Sequence, residues 1–214
     1  MASGRYILWD WNGTLLDDTQ AALDTLNIML RRRGAPEIGM EFYRDNFSFP
    51  VKPFYVSIGM KLEDEDWDAL AAEYHAVYAA QPKRLNPLAM EAMSLVRDHG
   101  AGQSIISALR QDLLDAATSE YGVAPFMDFI YGVDNLDGSS KLARARSLVE
   151  RLREGDAGDI VLVGDSLHDF EVAEDVGIGC VLCADGSHAG WRLAQVAPTG
   201  NTVVDAVKTA LKMR

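Results

Sequence analysis

The stretch YILWDWNGTLLDD, residues 6–18, decides which fold this chain is expected to adopt. Its first four residues are apolar and polar residues follow directly, which is typical of a short buried strand that ends at a loop. Four later runs are equally short and mostly β-branched or aromatic: residues 104–106, 129–131, 160–163 and 180–182. The sequence therefore predicts five buried strands, of which Tyr6–Trp9 is the first.

Amphipathic stretches lie between most of these runs. Apolar residues at helical spacing predict helices over residues 88–99, 139–152 and 168–176, and a glycine follows the first and the third. Strands that alternate with helices indicate a parallel sheet with helices on both faces. We therefore expect an α/β fold with a doubly wound, Rossmann-like parallel sheet.

One part of the chain breaks this alternation. Between residues 19 and 81 the pattern predicts helices only, among them residues 21–33, which precede Gly34, and residues 64–80. Pro82 and Pro87 mark the return to the alternating pattern. We expect a core domain of residues 1–17 and 83–214, and a small all-helical cap domain of residues 18–82 inserted after the first strand.

Charge and composition exclude several classes of function. The 214 residues include 32 acids and 20 bases, so the formal net charge is −12. Such a chain repels nucleic-acid backbones and anionic lipid surfaces. It contains no run of about 18 apolar residues, no apolar leader at its start, and only two cysteines. We expect a cytoplasmic protein, a monomer or weak dimer, that binds neither nucleic acid nor membranes.

Polar residues follow three of the predicted strands. Asp10 and Ser107 come directly after the first and second strands, and Asp165 follows the fourth strand after one glycine. Ligands of open parallel sheets bind at this edge. Carboxylate oxygens suit Mg²⁺, and a carboxylate can also act as a nucleophile that forms an aspartyl-phosphate. The Ser107 hydroxyl and the backbone amides after it can bind a phosphate oxygen.

Two further charged residues belong to this pattern. Lys141 begins the helix after the third strand, and Asp169 follows Asp165 by four residues. Carboxylates a few ångströms apart repel one another unless a cation lies between them. These residues together predict a phosphoryl-transfer site that contains a metal ion.

The order of these motifs resembles the haloacid dehalogenase superfamily of phosphohydrolases, most nearly its phosphoglycolate phosphatase-like branch. The motifs are DWNGT at residues 10–14, Ser107, Lys141, and GDSLHD at residues 164–169. The resemblance spans nearly the whole chain, and it includes the helical cap between the first two motifs. It implies the sheet order 5-4-1-2-3, with the strands numbered along the chain.

The resemblance also implies a role for each residue. Asp10 would be the nucleophile, and Ser107, the amide of Ala108 and Lys141 would bind the phosphoryl group. Mg²⁺ would be held by Asp10, Asp165 and the backbone carbonyl of Asn12, with Asp169 completing the site. The function implied is Mg²⁺-dependent hydrolysis of a small phosphorylated metabolite.

Asn12 departs from the family pattern. Phosphatases of this superfamily carry a second Asp there, which protonates the leaving oxygen and then takes a proton from the attacking water. An amide does not titrate in the useful range, and general acid–base catalysis contributes roughly 10²–10⁴-fold in rate. The metal site keeps its ligand at this position, because that ligand is a backbone carbonyl.

Several consequences of Asn12 are open. Hydrolysis could be slow, or limited to good leaving groups, or helped by another acid. The candidate acids are Asp17, Asp18, His168 and His188. Relatives that cleave phosphonates (P–C bonds) also lack the second Asp and use a cap lysine, and this cap contains Lys52, a candidate substrate-binding residue, and Lys61. A catalytically impaired protein that binds a phosphate ligand is a third alternative.

Overall fold

The computed structural model of the protein describes residues 4–134 and 141–213. The strands in these residues are β1 (Tyr6–Trp9), β2 (Leu16–Asp17), β3 (Arg84–Leu85), β4 (Gly102–Arg110), β5 (Ile130–Val133), β6 (Ile160–Gly164), β7 (Gly179–Cys183) and β8 (Thr199–Gly200). The α-helices are α1 (Thr19–Arg32), α2 (Met40–Asn46), α3 (Val51–Ser57), α4 (Trp67–Ala79), α5 (Ala89–Asp98), α6 (Gln111–Glu120), α7 (Lys141–Glu154), α8 (Leu167–Val176), α9 (Gly190–Leu193) and α10 (Val203–Ala210).

Six of the strands form one parallel sheet in the order β5-β4-β1-β6-β7-β8. This is the expected order 5-4-1-2-3, read from the other edge, with β8 added beyond the fifth strand. The predicted α/β fold with a doubly wound parallel sheet is therefore confirmed. β8 has only two residues, which is too short for any recognisable hydrophobic pattern.

Each face of the sheet has its own apolar core. Successive side chains of a strand point to opposite faces, so Ile7 and Trp9 pack with α5 and α10, whereas Tyr6 and Leu8 pack with α7 and α8. Burial of one such side chain contributes about 1.5–3 kcal/mol. The two packed faces hold β1 rigidly, and the residue that follows it, Asp10, is therefore fixed in position.

The predicted helices agree with the observed ones, apart from their ends. The helix expected over residues 64–80 was wrong at its start, because α4 begins at Trp67. The Asp66 side chain accepts a hydrogen bond from the Ala69 amide at 2.8 Å, which is the bond of a helix N-cap. The helix start predicted at residues 139–140 lies outside the described residues, and α7 is described from Lys141 onward.

Helices α1 to α4 form a separate apolar cluster. Its fully buried members include Leu26, Met29, Leu30 and Phe54, and none of them belongs to the two clusters of the sheet. We call the segment that carries these helices the cap. The domain boundaries expected at residues 17/18 and 82/83 stay a prediction.

A short antiparallel pair lies where the chain enters and leaves the cap. β2 pairs with β3, so that Leu16 is opposite Leu85 and Asp17 is opposite Arg84. Two residues on each strand carry no pattern that predicts a sheet.

Within residues 4–134 and 141–213, none of the helices has the length and apolar character needed to cross a membrane.

Candidate active site

Three acidic side chains converge at the carboxyl edge of the sheet. β1 lies between β4 and β6, and the Asp10 amide donates to the Val163 carbonyl of β6 at 2.9 Å, which continues the strand pairing by one residue. Asp165 follows β6, and Asp169 lies in the first turn of α8. One carboxylate oxygen from each acid lies within 4.8 Å of the others. The predicted meeting of Asp10, Asp165 and Asp169 is thus observed.

Lys141 lies between two of these acids. Its Nζ is 2.6 Å from Asp10 Oδ1 and 2.7 Å from Asp169 Oδ1, and its side chain is 4% exposed. Burial alone lowers the pKa of Lys141, but the two carboxylates raise it above its usual value, so this lysine stays charged. Lys141 thereby neutralises part of the acidic cluster.

The remaining negative charge fits a divalent cation. Three carboxylates and one ammonium leave two negative charges in a buried site. Burial raises the pKa of Asp10 well above its usual value and raises that of Asp165 to about 7, with Asp169 adding to both shifts. A cation with oxygen ligands would reverse these shifts. The cation would be held by Asp10, by Asp165 and by the backbone carbonyl of Asn12. This carbonyl accepts no hydrogen bond within the described residues.

Asp169 is fully engaged by other groups. Its Oδ1 accepts from Lys141, and its Oδ2 accepts from the Ser166 amide at 3.0 Å, from Ser166 Oγ at 2.7 Å and from the Asp165 amide at 3.2 Å. Burial raises the pKa of Asp169, but Lys141 and the other donors lower it below its usual value. Asp169 therefore orients both Lys141 and the loop that carries Asp165, while its role as a metal ligand stays a prediction.

Asp165 is held by two residues that sequence reasoning did not identify. Thr14 Oγ1 donates to its Oδ1 at 3.1 Å, and Ser187 donates to its Oδ2 from both the amide, at 2.6 Å, and the hydroxyl, at 2.5 Å. Thr14 belongs to the DWNGT motif and could have been found there. Ser187 lies in a loop after β7 where no motif marks it.

Two glycines make room for Asp165. A Cβ at Gly13 would lie 2.2 Å from its Oδ2, and one at Gly186 would lie 2.3 Å from its Cβ. Gly13 also has φ of +75°, a conformation that side chains disfavour. Both contacts are far shorter than van der Waals distance, so the backbone encloses this carboxylate closely on two sides.

The Asn12 amide is fixed by a network that reaches into the cap. Its Nδ2 donates to Asp18 Oδ2 at 2.7 Å and to the Tyr78 hydroxyl at 3.0 Å, and Tyr78 in turn donates to Asp18. Asp18 also accepts from the Gly13 amide at 2.7 Å. Both N–H groups of Asn12 are therefore used as donors, and the Asn12 Oδ1 is left as an acceptor. Tyr78 has no sequence signal of its own.

Of the four candidate replacement acids, Asp18 alone contacts Asn12 in the part of the chain that is described. Asp17 pairs with Arg84 at 2.8 Å, and His168 lies 3.4 Å from Glu171. His188 Nδ1 accepts from a backbone amide, and burial, followed by the charge of Arg192, lowers its pKa to about 4. The two histidines and Asp17 are thus engaged elsewhere.

Ser107 lies on the strand next to Asp10, as expected, because β4 pairs with β1. It is buried, and its Oγ accepts from the Leu109 amide at 3.0 Å. The expectation that the second strand ends where Ser107 follows it was wrong, since β4 continues to Arg110 after a register shift that begins at Ile106. Ala108 lies within that irregular stretch. The phosphate contacts of Ser107 and Ala108 stay a prediction.

The structure does not bring the cap lysine candidates into the cluster of acids. Lys52 lies on α3, and its Nζ is 4.4 Å from the centre of the Trp67 ring, also in the cap. Lys52 and Lys61 are both exposed. A cation over an aromatic face gains about 0.5–1 kcal/mol at an exposed site, so the contact of Lys52 with Trp67 stabilises the cap modestly. Its role as a substrate-binding residue stays a prediction.

Comparison with known proteins identifies the family. A family model described as haloacid dehalogenase-like hydrolase matches residues 7–183. The chain belongs to the haloacid dehalogenase-like hydrolase family. The family predicted from the four motifs is confirmed, and so is the general class of enzyme, a hydrolase.

Similar proteins extend over most of this haloacid dehalogenase-like chain. "Probable phosphatase IndB" from Dickeya dadantii is 25% identical over an alignment of 222 residues, which covers 97% of this chain and 95% of that protein. A phosphoglycolate phosphatase from Caulobacter vibrioides is 24% identical over 191 residues, 86% of this chain and 81% of that one. A haloacid dehalogenase-like hydrolase structure from Streptococcus pneumoniae has a TM-score of 0.74 at 16% identity, covering 98% and 99% of the two chains.

Proposed function

We propose that this protein is a Mg²⁺-dependent phosphatase that acts on a small phosphorylated metabolite, with Asp10 as the nucleophile. The observation that carries the proposal is the buried contact of Lys141 with Asp10 and Asp169, beside Asp165. A charged lysine among three acids suits a phosphoryl group that must be bound beside a carboxylate. Relatives named phosphatase support the same reaction class.

Each residue of the cluster has a proposed task. An Asp10 oxygen attacks phosphorus, the bond from phosphorus to the ester oxygen breaks, and the leaving group departs with the electron pair of that bond. Water then attacks the aspartyl-phosphate, which releases phosphate and restores the Asp10 carboxylate. Lys141 neutralises phosphoryl oxygens and favours the ionised form of Asp10, which a bound cation would favour further. Bound Mg²⁺ would supply further neutralisation of phosphoryl charge.

The Asn12 network supports a restriction on the leaving group. Because both N–H groups of Asn12 are occupied by Asp18 and Tyr78, its remaining polar group is the acceptor Oδ1. An acceptor can orient an attacking water but cannot protonate an alkoxide. We therefore propose a preference for substrates whose leaving group is stable as an anion, such as acyl phosphates, phosphoanhydrides and aryl phosphates.

The test is a hydrolysis panel with and without Mg²⁺. We expect Mg²⁺-dependent turnover, with kcat/KM higher for acetyl phosphate and p-nitrophenyl phosphate than for alkyl phosphates such as phosphoglycolate. Asp10→Asn keeps the size of the side chain but removes the nucleophile, so it should be inactive on every substrate.

Two results would contradict the proposal. Absence of turnover together with tight binding of a phosphate ligand would favour a binding protein instead. An adduct of phosphonoacetaldehyde trapped on Lys52 with borohydride would favour cleavage of a P–C bond.

A further inference from the structure

A loop of the core is bonded to the cap on one side and to Asp165 on the other. We call residues 185–192, which follow β7 and enter α9, the clamp loop. It contributes no group to the reaction proposed above. Its two sets of contacts nevertheless connect the position of the cap to the acidic cluster.

The first set of contacts attaches the clamp loop to the end of cap helix α2. Arg192 Nη1 donates to the carbonyl oxygens of Arg44, at 2.9 Å, and Phe47, at 2.8 Å. The Ala189 amide donates to the same Arg44 carbonyl at 3.0 Å. A cation at the carboxyl end of a helix meets its free carbonyls and the negative end of its dipole. Arg192 is thus placed where it stabilises the docked helix.

Two more hydrogen bonds strengthen this attachment. Trp191 Nε1 donates to Asp45 Oδ1 at 2.8 Å, and Arg44 Nη2 donates back to the Asp185 carbonyl at 2.9 Å. The ring of His188 also packs edge-on against Phe47, with centroids 5.8 Å apart. The clamp loop therefore contacts the cap from near both of its ends, at Asp185 and at residues 188, 189, 191 and 192.

The second set of contacts attaches the clamp loop to Asp165. Ser187 donates to Asp165 Oδ2 through two groups, and Gly186 leaves no room for a side chain beside this carboxylate. One residue further on, His188 Nδ1 accepts from the Leu167 amide at 3.0 Å, at the start of α8. Ser187, which contacts Asp165, and Ala189, which contacts the cap, are thus two positions apart in the sequence. Because consecutive Cα atoms are 3.8 Å apart, a displacement of one of these residues also moves the other.

We propose that the clamp loop couples docking of the cap to the position of Asp165, with Arg192 and Trp191 as positioning residues. The inference rests on the proposed function, because Asp165 is taken as a ligand of Mg²⁺. When the cap is docked, the loop is ordered and Ser187 holds Asp165 in place. When the cap leaves, the loop loses its cap contacts and Asp165 loses its fixed orientation. Coupling is reciprocal, so Mg²⁺ should also favour the docked cap.

The experiment compares Mg²⁺ affinity in variants of the full-length protein by isothermal titration calorimetry without substrate. The double variant Arg192→Met and Trp191→Phe removes three hydrogen bonds to the cap and touches no acid of the cluster. We expect its Mg²⁺ affinity to fall about fivefold or more, the lower range of typical allosteric coupling.

Arg153→Met is the matched control. Arg153 Nη2 also donates to carbonyl oxygens at the end of a helix, those of Val176, the last residue of α8, and Gly177, which follows it. This end of α8 lies far along the helix from Asp169, and Arg153 has no hydrogen bond to the cap among the described residues. Its Mg²⁺ affinity should equal that of the wild type. Trp191→Phe alone provides a milder variant if the double variant does not fold.

Hydrogen exchange of the wild-type protein gives a second measurement. Mg²⁺ should slow exchange in peptides that cover residues 40–47 and 185–192, where Ala189 donates to Arg44. Equal Mg²⁺ affinities in the wild type and the cap-contact variants, or unchanged exchange, would overturn the coupling alone. Failure of the wild type to bind Mg²⁺ would overturn the proposed function and the coupling with it.

Discussion

At the scale of single residues, Asn12 has the largest consequence for chemistry. By the family resemblance, Asn12 stands where a second Asp would deliver a proton, and its two N–H groups donate to Asp18 and Tyr78. The same geometry indicates what a carboxyl group would experience there. It would lie against the Asp18 carboxylate, and two carboxylates at hydrogen-bond distance share a proton.

We therefore expect Asn12→Asp to raise turnover of alkyl phosphate esters by about tenfold or more, since general acid catalysis contributes roughly 10²–10⁴-fold. The gain should be smaller for p-nitrophenyl phosphate, whose leaving group needs no proton. Steady-state kinetics on the two substrates measure both effects, and an unchanged or lower rate would show that Asn12 does not stand in for a missing acid.

Asn12→Asp together with Asp18→Asn is the control, because it leaves one carboxyl group in the pair. Asn12 precedes Gly13, a pair prone to deamidation, so the mass of this peptide should be measured in every wild-type preparation.

A second prediction at this scale concerns His188. Its pKa falls from 6.5 to about 4 on folding because it is buried, so the unfolded chain binds more protons between these pH values. The wild type should lose stability as the pH falls through this interval. His188→Asn keeps an acceptor for the Leu167 amide and should lose about 2 kcal/mol less between pH 7 and pH 5. Urea unfolding at the two pH values measures the difference, and equal losses would contradict it.

Much of the candidate site could be predicted from the sequence, because its residues directly follow recognisable strands or occupy a compact motif. Asp10 and Asp165 are examples, and the structure places Lys141 beside two of the acids. Ser187 and Tyr78 were not predicted. Ser187 reaches the site from a loop and Tyr78 reaches it from a cap helix, so both are distant in sequence from the motifs of the site. A single Ser or Tyr is also not part of any motif that would identify it.

At the scale of secondary structure elements, an ion-pair network joins two helices of the cap. Arg33, directly after α1, donates to both oxygens of Glu65, at 2.5 and 2.7 Å, and to Glu73 of α4 at 2.7 Å. These hydrogen bonds lower the pKa of both glutamates. A bidentate arginine pair in a network stabilises more than an isolated surface pair.

Arg33→Met should therefore lower the free energy of unfolding by about 1 kcal/mol at pH 7, and less in 1 M salt, which screens the pairs. Arg31→Met is the matched control, because Arg31 makes one exposed pair, with Glu37 at 3.3 Å, and should have almost no effect. Denaturant unfolding measures both, and equal losses for the two variants would show that the network does not stabilise the cap.

Helices and strands were predicted mainly where they are long enough to show a hydrophobic pattern in the sequence. The five longer strands, most of which are buried on both faces, were found, and so were the helices α1, α5 and α8, whereas α6, which is as long as α5 and α8, was not predicted. β2, β3 and β8 have two residues each, and their pairing depends on neighbours distant in sequence. The start of α4 was misplaced because two aspartates, Asp64 and Asp66, precede it, and the residue type suits a helix N-cap at either position.

At the scale of the whole molecule, the acidic residues behind the net charge of −12 lie in two kinds of place. Most acids lie on the surface, whereas Asp10, Asp165 and Asp169 are buried together. Bulk charge disfavours anionic polymers, but Lys141 and a bound cation can reverse its sign locally, so a small phosphate remains a suitable substrate. Without the cation, the buried acids repel one another and destabilise the folded chain.

Asp165→Asn should accordingly raise the melting temperature of the metal-free protein while removing its stabilisation by Mg²⁺. Folding raises the pKa of Asp165 from 3.8 to about 7, so the folded state binds more protons and loses stability as the pH rises from 4 to 7. Asn removes that loss. Thermal scans at pH 7.5 in EDTA and in Mg²⁺ test this, and a lower melting temperature in EDTA would contradict it.

The β2–β3 pair has a consequence for how such a protein can change over evolution or by design. Because Leu16 and Leu85 are directly opposite each other, the two ends of the cap are neighbours in space although 69 positions separate them in sequence. A segment whose ends already meet can be exchanged for one of different length without stretching the sheet. We therefore expect that the cap can be replaced by a segment of different length while β1 and the acidic cluster keep their geometry.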